Sequence, residues 1–222
     1  MGKAIGIILA GGIGSRFGGD KPKQYHLING KELVWYSIEA FKNSKNIADF
    51  VVVLDEEQYN SQRIKKQYGV KTVLGGKTRN HSLKNALDYI KENFPDCNKV
   101  IENDAARPLT TSELIDEYIC ILDKYDYVQT TTKIVDSLGC YNKCDVRRED
   151  YFLIQAPDAY RFNLLYENFN PDFPNTHPAA QLPEKSKGFS YFDFGNNFKV
   201  TYPEDLEIAE ILINRQKNKG AE

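Results

Sequence analysis

The sequence is poor in several features that mark large classes of protein. It has only four cysteines, sparsely and irregularly spaced, which argues against a secreted, disulfide-rich protein. Its 29 Lys and Arg residues are balanced by 31 Asp and Glu residues, so the formal net charge is -2. This balance provides no overall basic field to hold nucleic acid or an anionic membrane. No apolar run approaches the roughly 20 residues of a membrane span, and no cationic and apolar leader precedes the first strand. We therefore expect a cytoplasmic protein.

Internal repeats and low-complexity segments are also missing, and 222 residues suit one large α/β domain, taken here as 1–222. Short runs rich in Val and Ile predict strands, and helical periods fall between these runs. The predicted strands cover 4–10, 50–54, 70–74, 99–102 and 127–132, and the predicted helices cover 33–41, 57–67, 82–93 and 112–124. This alternation predicts an α/β fold with a mainly parallel, doubly wound sheet that binds ligands at the carboxyl ends of its strands.

The alternation stops after Thr132. Residues 133–155 contain several charges and no sustained helical period, and short strand-like pieces flank them, which indicates an insertion or a protruding arm. Further on, the pattern predicts a helix over 162–169, a loop over 170–187, a short strand over 198–201 and a terminal helix to about 215. Thr110 and Glu113 have the spacing of a capping box in front of the fourth helix.

The stretch ILAGGIGSRFGGDKPKQY, residues 8–25, follows the first predicted strand and holds five glycines, one arginine and two lysines. Glycines let backbone amides approach a phosphate closely. No helix begins at once and no Gly-Lys-Ser/Thr follows, so neither a dinucleotide fingerprint nor a P-loop fits. The stretch predicts a long basic loop around a triphosphate, with Arg16 and Lys23 as the main donors. The alternative is a flexible, solvated turn.

Five motifs in order carry a family resemblance. They are Leu9-Ala10-Gly11-Gly12-x-Gly14-x-Arg16, Pro22-Lys23-Gln24-Tyr25, Gly75-Gly76 with Arg79 and Ser82, Asp104-Ala105-Ala106-Arg107-Pro108, and Lys199-Val200-Thr201-x-Pro203-Glu204-Asp205. Together they resemble the cytidylyltransferases of the methylerythritol phosphate and ribitol 5-phosphate group. The resemblance implies a Rossmann-like nucleotidyltransferase fold and a homodimer with exchanged β-arms, with 133–155 as the arm.

The resemblance also implies an activity and a site. Such enzymes join CTP to a phosphorylated polyol and release pyrophosphate, a reaction that needs cations and positioning more than a proton shuttle. It assigns catalytic roles to Arg16, Lys23 and Lys199 and a magnesium site to Asp104. It also assigns nucleotide binding to Leu9, Ala10, Gly11, Gly12, Gly14, Gly75, Gly76, Ser82, Asp104 and Ala105. Taken alone, Asp104 could be a turn residue, Lys199 an ordinary strand-end lysine and Gly75-Gly76 a simple turn.

The acceptor side departs from the methylerythritol branch. The resemblance places Arg107, Ser137 and Arg148 at the acceptor phosphate, the last two reaching from the arm into the partner's site, with Arg147 as an alternative to Arg148. A threonine of the methylerythritol enzymes is replaced in the stretch Gln155-Ala156-Pro157-Asp158, and their Thr-Asp-Glu-Ala motif reads Thr176-His177-Pro178-Ala179. Ser137 stands where they have threonine and Asn196 where they have an acidic residue.

These departures favour the polyol phosphate branch. The expected acceptor is ribitol 5-phosphate, glycerol phosphate or a similar alditol phosphate, giving a CDP-polyol for teichoic acid or capsule synthesis. Three alternatives stay open. The protein could be a methylerythritol phosphate cytidylyltransferase, a sugar-1-phosphate nucleotidyltransferase, or a protein that binds a nucleotide without catalysis. The aromatic residues of 189–194, together with His177, either line the acceptor pocket or belong to the sheet core. Cys140 and Cys144 have no partner at ligand spacing, so free thiols are favoured over a metal site.

Overall fold

The computed structural model describes residues 2–12, 14, 16–19, 21–141, 146–195 and 197–219. Its strands are β1 (Lys3–Ala10), β2 (Leu27–Ile28), β3 (Lys31–Glu32), β4 (Asp49–Leu54), β5 (Lys71–Leu74), β6 (Cys97–Asp104), β7 (Tyr127–Lys133), β8 (Phe152–Arg161) and β9 (Gly188–Tyr191). Its α-helices are α1 (Leu33–Asn43), α2 (Glu56–Ser61), α3 (Arg63–Tyr68), α4 (Arg79–Asn93), α5 (Ser112–Ile121), α6 (Phe162–Asn168) and α7 (Asp205–Lys219). No α-helix within these ranges is long and apolar enough to span a membrane.

Seven strands form the central sheet in the order β5-β4-β1-β6-β8-β7-β9. β8 pairs antiparallel with both β6 and β7, and the remaining pairs are parallel. The mainly parallel sheet expected from the sequence is therefore confirmed. The strand β8 is a correction in its length, because the sequence pattern placed its first residues in the arm and indicated only a short strand-like piece after the arm.

The reason lies in the composition of β8. Pro157 and Asp158 are residue types depleted in strands, and proline cannot donate to a ladder. Here β7 shifts its register against β8 between Gln129 and Thr130, so its pairing passes from Asp158 to Gln155 and leaves Ala156 and Pro157 outside the ladder. A strand interrupted in this way has no period that a sequence pattern can detect.

Alternate residues of each central strand enter two apolar layers, as the period of two in a strand requires. Ile5 and Ile7 of β1 pack with α4 and α6, whereas Ala4 and Ile8 pack with α1 and α5. A third apolar cluster joins α7 to α1 and to the segments after β6. The sheet is therefore covered on both faces, which leaves its carboxyl-end edge free for a site.

Four local expectations differ from the structure. The helix expected over 57–67 is divided into α2 and α3, because Gln62 adopts a left-handed conformation with φ of 56°. Thr111, not Thr110, caps α5 by accepting a hydrogen bond from the Leu114 amide at 3.2 Å. The segment 198–201 is not a strand, and its Val200 amide donates to the Ala106 carbonyl at 2.9 Å. The terminal helix α7 continues to Lys219.

The predicted arm leaves the sheet where β7 ends and β8 begins, with Lys133 opposite Phe152. Between these strands the structure describes 134–141 and 146–151, including one 3-10 turn at Arg148–Asp150. Large apolar side chains on the arm and at the start of β8 face solvent in the single chain, among them Val135 at 78 % exposure and Leu153 at 53 %. A protruding segment with an apolar surface is typical of an interface.

Candidate active site

A cavity of about 380 Å³ lies at the carboxyl ends of β1 and β6. Three segments supply most of its wall: the glycine loop after β1, the turn that opens α4, and the residues that end and follow β6. The residues lining it are Leu9, Ala10, Gly11, Gly12, Lys23, Gln24, Gly76, Lys77, Thr78, Arg79, Ser82, Asp104, Ala105, Ala106 and Lys199. This is the edge at which a doubly wound sheet binds its ligands.

Gln24 shapes the glycine loop. Its side-chain Nε2 donates to the carbonyl oxygens of Ala10 at 2.7 Å and of Gly12 at 3.0 Å. Gly14 adopts a φ of 70°, which residues with a Cβ rarely accept. Lys23 Nζ donates to the carbonyl oxygen of Val200 at 2.8 Å and thereby ties the loop to the segment that carries Lys199. The motif that contains Gln24 does not by itself predict this role.

Lys23 stands among other cations. Burial lowers the pKa of its ammonium group to about 8, and the charges of Lys199 and Arg16 act in the same direction. The carboxylates of Asp104 and Asp205 oppose this effect. The cavity lining thus carries an excess of positive charge that a bound anion would relieve.

Asp104 is the acidic centre of the site. Its Oδ2 accepts a hydrogen bond from Lys199 Nζ at 2.6 Å, and Arg107 Nε lies 3.6 Å from the same oxygen. Arg79 approaches Oδ1 at 3.3 Å. Burial of the carboxyl group opposes its ionisation, but the three cations, with Arg79 contributing most, hold the pKa of Asp104 far below its usual value. Asp104 is therefore a carboxylate at every working pH.

Arg79 connects the site to the sheet interior. Its NH2 group donates to both carboxylate oxygens of Glu102, at 2.7 and 2.8 Å, and Glu102 is only 1 % exposed. Burial raises the pKa of Glu102, and the ion pair with Arg79 counteracts that rise. Arg79 NH1 also donates to the Thr176 carbonyl oxygen at 3.1 Å. From the sequence, Arg79 could have been merely structural; the structure shows it bridging both carboxylates and the 173–177 loop.

A second cavity of about 340 Å³ adjoins the first and shares Arg79, Asp104 and Lys199 with it. The remainder of its lining is Arg107, residues 152–156, Asp158 and residues 175–177. Two cavities that meet at one carboxylate and one lysine can hold two substrates with their reacting groups next to each other.

The structure brings most of the predicted nucleotide and catalytic residues together and leaves some outside. Gly14 and Gly75 are not among the residues that line the first cavity, and the Gly75 amide donates to the Leu54 carbonyl oxygen at 2.7 Å. Ser82 Oγ accepts from the Gly76 amide at 3.0 Å and so fixes the turn. Arg16 is exposed and outside the lining, although its charge acts on Lys23.

Of the predicted acceptor residues, Arg107 lines the second cavity, whereas Ser137 and Arg148 lie on the arm. Ser137 is exposed, and Arg148 lines a separate arm cavity of about 520 Å³, where it donates to the Val135 carbonyl oxygen. Neither residue lines the two site cavities of its own chain. Asn196 and Cys144 lie outside the described residues, and Cys140 is an exposed free thiol.

The ligand set for a divalent metal is sparse. Within the described part of the chain, no group of three or more His, Cys, Asp or Glu side chains could hold a metal ion. Among the residues that the structure describes, Asp104 is the acidic residue that lines the first cavity, and Glu102 nearby is paired with Arg79. Mg²⁺ commonly takes one or two carboxylates and completes its shell with phosphate oxygens and water. Asp104 thus fits a magnesium ion that arrives with a nucleotide.

Comparison with known proteins agrees with this geometry. The family model described as "IspD: 2-C-methyl-D-erythritol 4-phosphate cytidylyltransferase" matches residues 4–215. A protein of Clostridium kluyveri with that enzyme name is 33% identical over 95% of this chain and 96% of its own length. A bifunctional ribulose 5-phosphate reductase/CDP-ribitol pyrophosphorylase of Haemophilus influenzae is 30% identical over 97% of this chain and 49% of its own length.

Solved structures show the same fold. The 4-diphosphocytidyl-2C-methyl-D-erythritol synthase of Anaerococcus prevotii superposes with a TM-score of 0.80 at 23% identity, covering 96% of each chain. The bifunctional IspDF of Campylobacter jejuni superposes with a TM-score of 0.77 at 28% identity, covering 92% of this chain and 53% of its own. The chain therefore belongs to the IspD family of 2-C-methyl-D-erythritol 4-phosphate cytidylyltransferases and is a CTP-dependent cytidylyltransferase.

Proposed function

We propose that the enzyme transfers CMP from CTP, bound in the first cavity, to a phosphorylated polyol bound in the second. The observation that carries this proposal is the meeting of the two cavities at Asp104 and Lys199. An oxygen of the acceptor phosphate forms a bond to the α-phosphorus, and the bond from that phosphorus to the bridging oxygen breaks. The electron pair leaves with pyrophosphate, so positioning and charge stabilisation carry the catalysis.

The cations in and near the first cavity suit these tasks. Lys23 lines the cavity and holds the triphosphate, Arg16 reaches the phosphates from outside the lining, and Lys199 stabilises the charge that develops on the α-phosphate. The glycine loop presents its backbone amides to the phosphates, while the turn at Gly75 and Gly76 presents peptide groups to the cytosine edge.

Asp104 is the residue that would hold a magnesium ion. Members of this family generally depend on a divalent metal, and such an ion neutralises charge on the phosphates when bound. A magnesium ion would compete with Lys199 for Asp104, because Lys199 Nζ donates a hydrogen bond to Asp104 Oδ2 at 2.6 Å. A triphosphate that engages Lys199 frees this oxygen.

The comparisons favour methylerythritol 4-phosphate over the cell-wall acceptors expected from the sequence, because most of the similar proteins carry that enzyme name. We therefore propose it as the first acceptor to test. Ribitol 5-phosphate is the second candidate. It is favoured by the Haemophilus influenzae relative and by Asp158 and His177, which stand where the methylerythritol motifs have other residues. Both residues line the second cavity, called the acceptor cavity below.

A homodimer is part of the proposal. The exposed apolar residues of the arm support it, as does the position of Ser137 and Arg148 away from their own chain's site. Exchange of the 133–155 arm would bring these two side chains toward the acceptor phosphate in the partner's second cavity. The single cytidylyltransferase domain over 1–222 and a cytoplasmic location stay predictions.

The decisive experiment is pyrophosphate release with CTP and Mg²⁺ against methylerythritol 4-phosphate, ribitol 5-phosphate, glycerol phosphates and other alditol phosphates. We expect turnover with one acceptor and loss of turnover in Asp104→Asn. Asp123→Asn is the matched control, because its exposed carboxylate pairs with Lys99 and lines neither cavity. No release with any acceptor from a protein that still binds CTP would refute the transfer reaction.

A further inference from the structure

A row of polar side chains crosses four strands on the face of the sheet that packs against α4. Glu102 of β6 stands opposite Asp158 of β8, Asp158 opposite Gln129 of β7, and Gln129 opposite Ser190 of β9. Glu102, Asp158 and Gln129 are all buried. Buried polar groups are costly unless each finds a partner, and two carboxylates on neighbouring strands add repulsion. Such a row requires a reason beyond packing.

One oxygen of Asp158 has a structural task. β7 shifts its register at Thr130, and Asp158 Oδ1 accepts a hydrogen bond from the Thr130 amide at 3.1 Å. This bond satisfies a donor that the irregular pairing takes out of the ladder. The second oxygen, Oδ2, accepts no hydrogen bond from any residue that the structure describes. His177 Nδ1 lies 3.6 Å from it, which is beyond hydrogen-bond distance.

His177 is fixed beside that oxygen. Its Nε2 lies 2.8 Å from Gln129 Oε1, and Gln129 Nε2 donates in turn to Ser190 Oγ at 2.9 Å. In this arrangement His177 Nε2 carries a proton and donates it to Gln129. The backbone amide of His177 is bound to Asn175 Oδ1 at 2.8 Å, which holds the loop. The imidazole therefore has little freedom. Its Nδ1 is buried without a hydrogen-bond partner among the described residues, and it packs beside Asp158 Oδ2 at 3.6 Å, where it limits the positions that this carboxylate group can take.

Asp158 and His177 both line the acceptor cavity, and the cations Arg107 and Lys199 line it as well. A carboxylate repels a phosphate, whereas a guanidinium and an ammonium group attract one. An acceptor that carries a phosphate and hydroxyl groups is therefore oriented, with its phosphate toward the cations and a hydroxyl toward Asp158. A carboxylate oxygen can only accept, and a hydroxyl group can donate to it.

We propose that Asp158 sets the acceptor specificity of the enzyme by accepting, through Oδ2, a hydrogen bond from one hydroxyl group of the polyol, with His177 as its positioning residue. The inference rests on the proposed function, because it requires the acceptor to occupy the second cavity. Asp158 is only 4 % exposed. An acceptor without that hydroxyl leaves Oδ2 without a donor in place of water, and the enzyme discriminates against such an acceptor.

The test compares Asp158→Ala and Asp158→Asn with the unmodified enzyme. We expect the acceptor KM to rise about 10- to 100-fold in Asp158→Ala, since a hydrogen bond to a charged group is lost, while kcat and the KM for CTP stay within about twofold. We also compare a series of acceptors that each lack one hydroxyl group. With the unmodified enzyme, one of them should show a similar rise in KM, and with Asp158→Ala the loss of that hydroxyl should cause no further rise. Asp123→Asn is the control that leaves every parameter unchanged.

The positioning role of His177 has its own readout. His177→Ala raises the acceptor KM and flattens the discrimination among deoxygenated acceptors, and His177→Gln, which retains a donor for Gln129, restores part of both. Equal values in these two variants would overturn the positioning role. An unchanged acceptor KM in Asp158→Ala, in an enzyme that turns over, would overturn the specificity role and leave the proposed function standing.

A binding measurement separates the remaining outcomes. Titration calorimetry with a CTP analogue that has a methylene group between its α- and β-phosphorus measures acceptor binding without transfer. Acceptor binding that depends on Asp158, in an enzyme that releases no pyrophosphate, would retain the inference and refute the proposed function. Neither binding nor turnover with any polyol phosphate would refute both.

Discussion

Binding of CTP should weaken as Lys23 loses its proton. Burial and the neighbouring charges of Lys199 and Arg16 lower the pKa of Lys23 to about 8. About nine in ten Lys23 side chains are then charged at pH 7 and about one in ten at pH 9. A group with a lowered pKa is charged below that value and neutral above it, so binding that needs its charge is lost as the pH rises through about 8. The apparent Kd for CTP equals the intrinsic Kd divided by the fraction of Lys23 that is charged, which predicts a roughly tenfold rise in the apparent Kd between pH 7 and pH 9.

The assay is titration calorimetry of CTP at pH 7, 8 and 9 in buffers of different ionisation enthalpy. The terminal phosphate of CTP, with a pKa of about 6, is ionised across this range and contributes little. At pH 9, binding should take up nearly one proton, because the bound anion raises the pKa of Lys23. Lys23→Arg should remove the pH dependence, since arginine stays charged throughout.

Lys21→Met is the matched control, because Lys21 is exposed and outside the cavity lining. A Kd that stays constant from pH 7 to pH 9 in the unmodified enzyme would refute the reasoning about the charge of Lys23. The same tenfold rise in Lys23→Arg would show that another group titrates.

Three further predictions concern the ion pair, the metal and the arm. Arg79→Met should lower the free energy of unfolding, measured in urea, by about 3–5 kcal/mol, because it leaves Glu102 buried and unpaired. The double variant with Glu102→Gln should recover part of this loss. A loss below about 1 kcal/mol in Arg79→Met would contradict the prediction. Mg²⁺ should bind measurably in calorimetry only with CTP present, because three cations surround Asp104, and tight binding to the free enzyme would argue against this. Replacing Leu153 and Ile154 by aspartate should halve the mass seen by analytical ultracentrifugation, whereas an unchanged mass would remove β8's exposed start from the interface.

The sequence predicted strands and helices best where their hydrophobic period is strong. β1, β4 and β6 alternate apolar side chains into two layers, and α4 and α5 carry a helical period, so the sequence located all five within a few residues. The start of α4 was placed at Ser82 instead of Arg79, because its N-cap Thr78 was not recognised. The error at α5 is of one residue: Thr110, which the capping-box spacing selected, is instead buried and donates to Asn103 Oδ1 at 3.2 Å. A tertiary hydrogen bond decided between two neighbouring threonines.

The sequence predicted the residues that bind the triphosphate better than those that line the acceptor cavity. The glycine loop and Asp104 belong to short contiguous motifs that the resemblance could match residue by residue. The acceptor cavity is built from β8 and the 175–177 segment, where the motifs depart from the methylerythritol branch and where strand-depleted residues hide a strand. One signal was available there: Glu102, an acidic residue within an apolar strand, indicates a buried partner.

The sequence by itself determined the mainly parallel α/β sheet, the basic glycine loop and the family, because each of these rests on short-range patterns of polarity and residue type. Only the tertiary structure decided which distant charges meet. Lys199 reaches Asp104 across 95 residues, Arg79 reaches Glu102 across 23, and His177 lies beside Asp158 on a different segment. These encounters depend on strand order and register, which arise from the packing of the whole chain and leave no periodic mark in the sequence.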